Sequence, residues 1–145
     1  MKKTALTDLA FNGYLGLALA LATLGDGESL DTVYEIENIH PSAIAKSKED
    51  CLAFIEQNDR IIQHLINDEY WPLDRIMDDF LMVRSETGIS FSDRPITRVL
   101  AELLDASASK FSNPEFYDGN DGIVYLSGSE PPLSDAITFQ GVNIT

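Results

Sequence analysis

The side chains best suited to acid–base chemistry are aspartates that occur in two short pairs. Asp78 and Asp79 are adjacent, and Asp118 and Asp121 lie on either side of a Gly-Asn dipeptide. General acid–base catalysis needs two carboxyl groups held in different environments. Adjacent residues point in different directions, which weakens the first pair. One hypothesis is therefore a small acid-based or metal-dependent hydrolase that uses Asp118, Asp121 and Asp79.

Residues 118–122 also carry the acid and glycine spacing of a cation-binding loop. An EF-hand calcium loop has an acid at its fifth position and a Glu at its twelfth. Gly122 and Ser129 stand at those positions here. A hairpin turn explains the segment better, so the sequence predicts no metal site. In the alternative hypothesis of a metal-dependent hydrolase, Asp118 and Asp121 are the ligands.

Histidine and cysteine offer little further chemistry. His40 and His64 lack the spacing of a metal-ligand pair. His40 precedes Pro41 and is expected to close a helix N-terminus, while His64 falls on the polar side of its helix. The single cysteine, Cys51, lies among apolar helix positions, which favours a small core residue over a nucleophile. No Gly-rich phosphate loop or serine-nucleophile motif occurs, and no cofactor is predicted.

The chain of 145 residues is strongly acidic, with a formal net charge of −14. Residues 26–40, 41–80 and 111–145 carry −5 each, whereas residues 81–110 are neutral. A surface this negative repels phosphate, which excludes a general nucleic-acid binder. Hydrophobic residues make up 44% of the chain, enough for one packed domain. No apolar run reaches the ~20 residues that a bilayer span requires, so no membrane partner is expected.

An array of carboxylates on a rigid helix can imitate DNA phosphates and occupy a basic cleft on another protein. The alternative is a solvated acidic face that only keeps the protein soluble. The acids expected on the outer face of one long helix are Glu49, Asp50, Glu56, Asp59, Asp68 and Glu69. Tyr70 and Trp71 follow them and are expected to act as apolar anchors for a partner. The alternative for Trp71 is a cap on the core.

Apolar periodicity and capping residues predict three main helices. The first begins after Thr7 and runs to Leu24, the second spans residues 41–67 without interruption, and the third begins at Pro95. The apolar face of the third helix is expected to consist of Ile96, Val99, Leu100, Leu103 and Leu104. A short helix over residues 73–78 precedes a change of period at Asp79.

Two β-hairpins are predicted. Residues 80–92 contain strand formers around a turn at 85–88, and residues 116–126 place Phe-Tyr and Ile-Val-Tyr-Leu on either side of an Asp-Gly-Asn-Asp-Gly turn. The fold class is therefore α+β, with three main helices packed on a small antiparallel sheet built from two hairpins. Residues 1–126 form a single domain, and residues 127–145 form a tail in which 136–139 can add an edge strand.

Four stretches in order resemble a known family. They are Phe-Asn-Gly-Tyr-Leu at 11–15, Asn-Ile-His-Pro at 38–41 leading to Glu-Asp-Cys-Leu-Ala-Phe at 49–54, Asp-Phe-Leu-Met-Val-Arg at 79–84 with Gly88, Phe91, Asp93 and Arg94, and Tyr-Asp-Gly-Asn-Asp-Gly-Ile-Val-Tyr at 117–125. The chain resembles small acidic proteins of unknown function encoded by phages, prophages and plasmids. The resemblance implies a mobile-element origin and covers roughly residues 10–126. Relatives usually carry a His-containing, Gly-rich loop with Trp nearby, where this chain has residues 85–88 and 90–92.

The leading hypothesis is a non-enzymatic accessory protein that binds and inhibits a host protein, such as a nucleic-acid-binding or defence factor, through its acidic surface. A homo-oligomeric phage accessory or assembly factor is a further alternative to the hydrolase. The basic N-terminus and the apolar stretch at 15–24 imitate a secretory leader, but Asp8 and Asn12 interrupt the pattern. An amphipathic core helix is favoured, and the protein is expected in the host cytoplasm.

Overall fold

The computed structural model describes residues 3–131, which form an α+β fold. The helices are α1 (Asp8–Leu21), α2 (Pro41–Gln57), α3 (Asp59–Asp68), α4 (Leu73–Arg84) and α5 (Arg98–Ala108), and the strands are β1 (Phe116–Asp118) and β2 (Val124–Leu126). Short 3-10 turns occupy Leu30–Thr32, Ile36–Asn38 and Phe91–Asp93. Among the described residues, no helix is both long and apolar enough to cross a bilayer.

The predicted start of α1 is confirmed, because the Thr7 hydroxyl accepts a hydrogen bond from the Ala10 N–H. The helix ends at Leu21, three residues earlier than the sequence predicts. The chain turns there because Thr23 pairs with Ser29 in an isolated antiparallel bridge, and the Leu24 N–H bonds to the Glu28 carbonyl. Helix α1 then packs chiefly against α4.

The single long helix predicted over residues 41–67 is wrong, because Asn58 divides it into α2 and α3. The Asn58 N–H bonds to the Ile55 carbonyl instead of the Phe54 carbonyl. Its side-chain amide then donates to the freed Phe54 oxygen at 2.9 Å and to the Ser107 hydroxyl at 2.8 Å. A buried asparagine thus satisfies the backbone at a bend, which periodicity does not reveal.

The hairpin predicted over residues 80–92 is also wrong. Residues 80–84 continue the helix that begins at Leu73, and α4 buries Ile76, Met77, Phe80 and Leu81 along one stripe. The run of strand formers was misleading because helical packing outweighs local β-propensity. The predicted helix over 73–78 is therefore only the first half of α4.

Helix α5 is confirmed, but it begins at Arg98 and not at the predicted Pro95, and two of its expected core residues lie outside the core. Ala101 and Leu104 are buried, whereas Val99 is 64% and Leu103 51% exposed. The buried face of the helix consists of Ala101, Leu104 and Ala108. Val99 and Leu103 form an exposed pair at i, i+4.

The second predicted hairpin is confirmed as the antiparallel pair of β1 and β2, with Tyr117 opposite Tyr125. The outer edge of β2 meets Ile39 in a parallel bridge, and the His40 N–H bonds to the Val124 carbonyl at 2.9 Å. The acidic segment that precedes α2 is thereby joined to the hairpin. The edge strand predicted at 136–139 lies outside the described residues.

Candidate functional site

Asp50 is not on the outer face of its helix, where the sequence predicts it. It is 7% exposed and contacts Arg84, whose Nη1 lies 3.0 Å from its Oδ2. Lys46 Nζ lies 3.0 Å from its other oxygen. The correction has a simple cause, since α4 brings a buried guanidinium to the inner side of α2 and an ionised carboxylate must neutralise it.

Two other predicted partner-binding acids serve the fold. Asp59 accepts a hydrogen bond from the Thr4 N–H at 2.8 Å, which holds the N-terminal segment on α3. Glu69 accepts from the Thr97 N–H at 2.7 Å and from the Thr97 hydroxyl at 2.6 Å, at the start of α5. These bonds lower the pKa of both carboxyl groups. Glu49, Glu56 and Asp68 are exposed, as expected.

The two aromatic residues after α3 have different surroundings. Tyr70 is 84% exposed and has a φ of 58°, a left-handed conformation that is costly for a residue with a side chain. Trp71 packs against the core, donates its indole N–H to Asp79 at 3.1 Å, and lies under the Arg75 guanidinium. This geometry fits Trp71 as a cap on the core and leaves Tyr70 available to a partner.

The aspartates of the hydrolase hypothesis are occupied by structural partners. Asp79 is 2% exposed and pairs with Arg94 at 2.8 Å. Burial raises the pKa of Asp79, while its bonds to Arg94 and Trp71 act in the opposite direction. Within residues 3–131, no group of three or more His, Cys, Asp or Glu side chains is placed to hold a metal ion.

Cys51 lies in the core, as predicted, and burial raises the pKa of its thiol to about 12. The thiol is therefore protonated at neutral pH and is a poor nucleophile. His40 closes the N-terminus of α2, also as predicted, because its Nδ1 accepts from the Ser42 N–H at 3.0 Å.

A cleft of about 300 Å³ lies between the ends of α1 and α4 and the segment before β1. Its walls include Ala22, Leu81, Ser85 and Phe116, and among residues 3–131 Glu115 is the one ionisable residue that lines it. The paired carboxyl groups that acid–base catalysis requires do not meet in this cleft.

The hairpin presents a surface that sequence reasoning missed, in which three tyrosine hydroxyls each bond to a carboxylate. Tyr34 donates to Asp118 at 2.7 Å, Tyr125 to Asp121 at 2.6 Å, and Tyr117 to Glu130 at 2.7 Å. Together with His40, these six residues are called the tyrosine–carboxylate face.

Stacked rings run through this face. His40 and Tyr125 have ring centroids 5.4 Å apart, and Tyr125 and Tyr117 have centroids 5.9 Å apart. Gly119 lies directly against the Tyr125 ring, so that a Cβ at this position would overlap the ring atoms. The glycine of the turn thus fixes where the middle ring of the stack can lie.

The carboxylates of the face are fixed as well as charged. Asp118 also accepts from the Asn120 N–H at 2.8 Å, Asp121 from the Ile123 N–H at 3.0 Å, and Glu130 from the Gly128 N–H at 2.8 Å. The Tyr34 bond lowers the pKa of Asp118, and the Tyr117 bond lowers that of Glu130. Both carboxyl groups are therefore ionised at neutral pH.

Basic residues are absent from the parts of the sequence that surround this face. All ten Lys and Arg residues lie at positions 2–3 and 46–110. Residues 23–40 carry five acids and residues 113–130 carry four, with no base in either segment. The Tyr34–Asp118 bond and the Ile39–Val124 bridge join the two segments. We call their exposed carboxylates the base-free surface.

The distribution of bases along the chain was the sequence signal for this surface. The regional charges identified residues 26–40 and 111–145 as acidic, but only the fold places the two segments side by side. Comparison with family models, curated proteins and solved structures finds no match to this chain. The resemblance to phage and plasmid proteins therefore stays a prediction.

Proposed function

We propose that the protein is a non-enzymatic accessory protein of a mobile element that binds and inhibits a host protein through its acidic surface. The partner is a protein with a basic surface, such as a nucleic-acid-binding or defence factor. The observation that carries this proposal is that residues 23–40 and 113–130, which both lack Lys and Arg, are joined at the hairpin.

Three properties of the base-free surface support recognition beyond solubility. Its carboxylates at Asp118, Asp121 and Glu130 are held by hydrogen bonds, so little side-chain entropy is lost when a partner binds. Tyrosines, which are enriched at the centres of protein interfaces, lie among the acids. Neither segment contributes a Lys or Arg of its own, and Lys46, which lines a pocket with Gly128 and Ser129, is already paired with Glu49 and Asp50.

The interface predicted from sequence alone is a competing surface on the same protein. Glu49, Glu56 and Asp68 are its exposed acids, with Tyr70 at its end. Part of its negative charge is neutralised, because Lys46 pairs with Glu49. We favour the base-free surface for this reason.

Two matched triple variants distinguish these surfaces. The first reverses Asp31→Lys, Glu37→Lys and Glu115→Lys, and the second reverses Glu49→Lys, Glu56→Lys and Asp68→Lys. Both change the net charge equally. Tagged protein is used to capture partners from host lysate, and the nucleic-acid-binding activity of each captured protein is then assayed with and without the purified chain.

We expect the wild type to capture a basic protein at low salt, to release it at high salt, and to inhibit its activity. The release at high salt follows because salt screens exposed charges. The first variant should lose capture and inhibition, while the second retains them, because an exposed charge acts only on nearby groups of the partner. If only the second variant lost capture and inhibition, the interface would instead lie on α2 and α3. Equal capture by all three proteins would contradict the proposal.

Self-association is a second candidate function, favoured by the exposed pair Val99 and Leu103 in the neutral part of the sequence. An apolar patch can offset the repulsion between two acidic chains. Sedimentation of the wild type and of Val99→Ser/Leu103→Ser at several concentrations tests it. A concentration-independent monomer mass for the wild type would refute this function.

A further inference from the structure

We infer that the tyrosine–carboxylate face is built to receive arginine side chains of the partner in preference to lysine. This inference rests on the proposed function and adds the chemistry of the partner. It commits to one occupant, an arginine-bearing strand or loop of a basic protein. The base-free surface supplies the charge complementarity, and the ring stack, which ends at the exposed Tyr117, supplies the preference.

The ring stack ends in a tyrosine ring on which a planar guanidinium can stack. The Tyr125 ring lies between His40 and Tyr117, at interplanar angles of 23° and 29°. Tyr117 at the end of the stack is 37% exposed, and its outer ring face has no aromatic neighbour described beyond Tyr125. A planar cation can extend the stack at this end.

The carboxylates stand at the hydroxyl edges of the same rings. Tyr125 and Tyr117 each donate to one carboxylate, Asp121 and Glu130 respectively. A guanidinium that stacks on the face of a ring can therefore direct its N–H groups toward the carboxylate beside the hydroxyl of that ring. Arginine presents five donors in a fixed plane, whereas a lysine ammonium is a compact and strongly hydrated charge.

His40 does not oppose a cation at the other end of the stack. Its Nδ1 accepts from the Ser42 backbone N–H, which requires that this nitrogen carries no proton. The charged side chains of the face, Asp118, Asp121 and Glu130, are all carboxylates, so they attract a second guanidinium.

Two blocked hexapeptides of equal charge, one alternating Arg and Gly and the other alternating Lys and Gly, are suitable probes. Each is titrated into the isotope-labelled full chain, and amide chemical shifts locate and quantify binding. At physiological ionic strength we expect the arginine peptide to bind about two- to fivefold more tightly, with shifts centred on residues 117–125.

Tyr117→Leu removes the terminal ring and leaves the charge unchanged. It should lower the ratio of the two affinities to about one, whereas Tyr117→Phe should keep the ratio near that of the wild type. Tyr70→Leu is the matched control, since it removes an exposed tyrosine elsewhere and should leave the ratio unchanged. If Tyr117→Leu does not fold, the ratio of the two peptide affinities in the wild type and in Tyr117→Phe still tests the preference for arginine.

Equal binding of both peptides at the hairpin would overturn the arginine preference and leave the proposed function standing. Absence of shifts with either peptide at low salt would overturn both. Arginine-selective shifts confined to α2 and α3 would overturn this inference and favour the competing surface. A preference that persists in Tyr117→Leu would also overturn it.

Discussion

Arg84 lies in the interior with all of its nitrogen atoms engaged. Its Nε and Nη2 donate to the Ser112 carbonyl at 2.9 and 2.7 Å, and its Nη1 donates to the Tyr14 hydroxyl at 3.0 Å and pairs with Asp50. The guanidinium also lies over the Phe80 and Phe111 rings. One side chain thus ties α4 to α1, α2 and the segment before β1.

Arg84→Met should destabilise the fold by about 3–5 kcal/mol, because the Tyr14 hydroxyl and the Ser112 carbonyl lose this donor and the buried Asp50 carboxylate loses one of its two cationic partners, keeping Lys46. Urea unfolding followed by circular dichroism measures the loss. Arg98→Met is the control, since Arg98 makes an exposed pair with Glu102 and should cost less than about 1 kcal/mol. Equal losses in the two variants would contradict the role given to Arg84.

The bond from Tyr34 to Asp118 predicts a pH-dependent contribution to stability. It lowers the pKa of Asp118 in the folded state below its unfolded value of about 3.9. Such a contribution is present above the unfolded pKa and is lost as pH falls through the folded pKa. Tyr34→Phe should therefore lower the free energy of unfolding at neutral pH, and the difference from wild type should shrink in acid.

Carboxyl chemical shifts supply a direct check, because Tyr34→Phe should raise the pKa of Asp118. Tyr117→Phe is the control, since its hydroxyl bonds to Glu130 and its loss should raise that pKa instead. An Asp118 titration that is the same in wild type and Tyr34→Phe would refute the assignment.

At the scale of elements, the sequence predicted the helix starts and the hairpin that are determined by interactions within a few residues. The caps at Thr7 and His40 and the Asp-Gly turn of the hairpin act within a few residues, and the structure has α1, α2 and β1–β2 where they indicate. The extent of α4 and the break between α2 and α3 depend on distant partners. Asn58 bonds to Ser107 on α5, a contact that no local pattern encodes.

The charged residues show the same limit. Asp50 and Glu49 are adjacent and chemically alike, yet one neutralises Arg84 and the other faces solvent. Only the tertiary position of α4 distinguishes them. For this reason, the sequence placed Asp50 on the outer face of its helix and did not identify the hairpin tyrosines, while the interaction surface that it predicts on α2 and α3 stays a prediction.

Gly119→Ala tests the hairpin without altering charge. A Cβ would collide with the Tyr125 ring and displace it from the stack, so binding of the arginine peptide should weaken to the level of the lysine peptide. Gly16→Ala is the control, because a Cβ there meets nothing within 4 Å in α1. It should leave peptide binding unchanged and stabilise the helix by about 0.5–1 kcal/mol. Unchanged arginine selectivity in Gly119→Ala would contradict the role of the ring stack.

At the scale of the whole molecule, the net charge of −14 opposes compaction. Added sodium chloride should therefore raise the thermal midpoint between about 10 mM and 300 mM ionic strength, over which the Debye length falls from about 30 Å to below 10 Å. Calorimetry measures the midpoint. The variant Asp31→Asn/Glu37→Gln/Glu115→Gln should respond less steeply, since three of the repelling charges are gone. A midpoint that falls with salt would show that favourable ion pairs outweigh the repulsion.

Because the Tyr34–Asp118 bond and the Ile39–Val124 bridge bring two base-free segments together, negative charge is concentrated around the hairpin, and the charge of the molecule is unevenly distributed. In the field of a positively charged body, such a particle experiences a torque before it makes contact. The hairpin end would turn to the front during the approach, so that a larger share of collisions begins with the correct side forward.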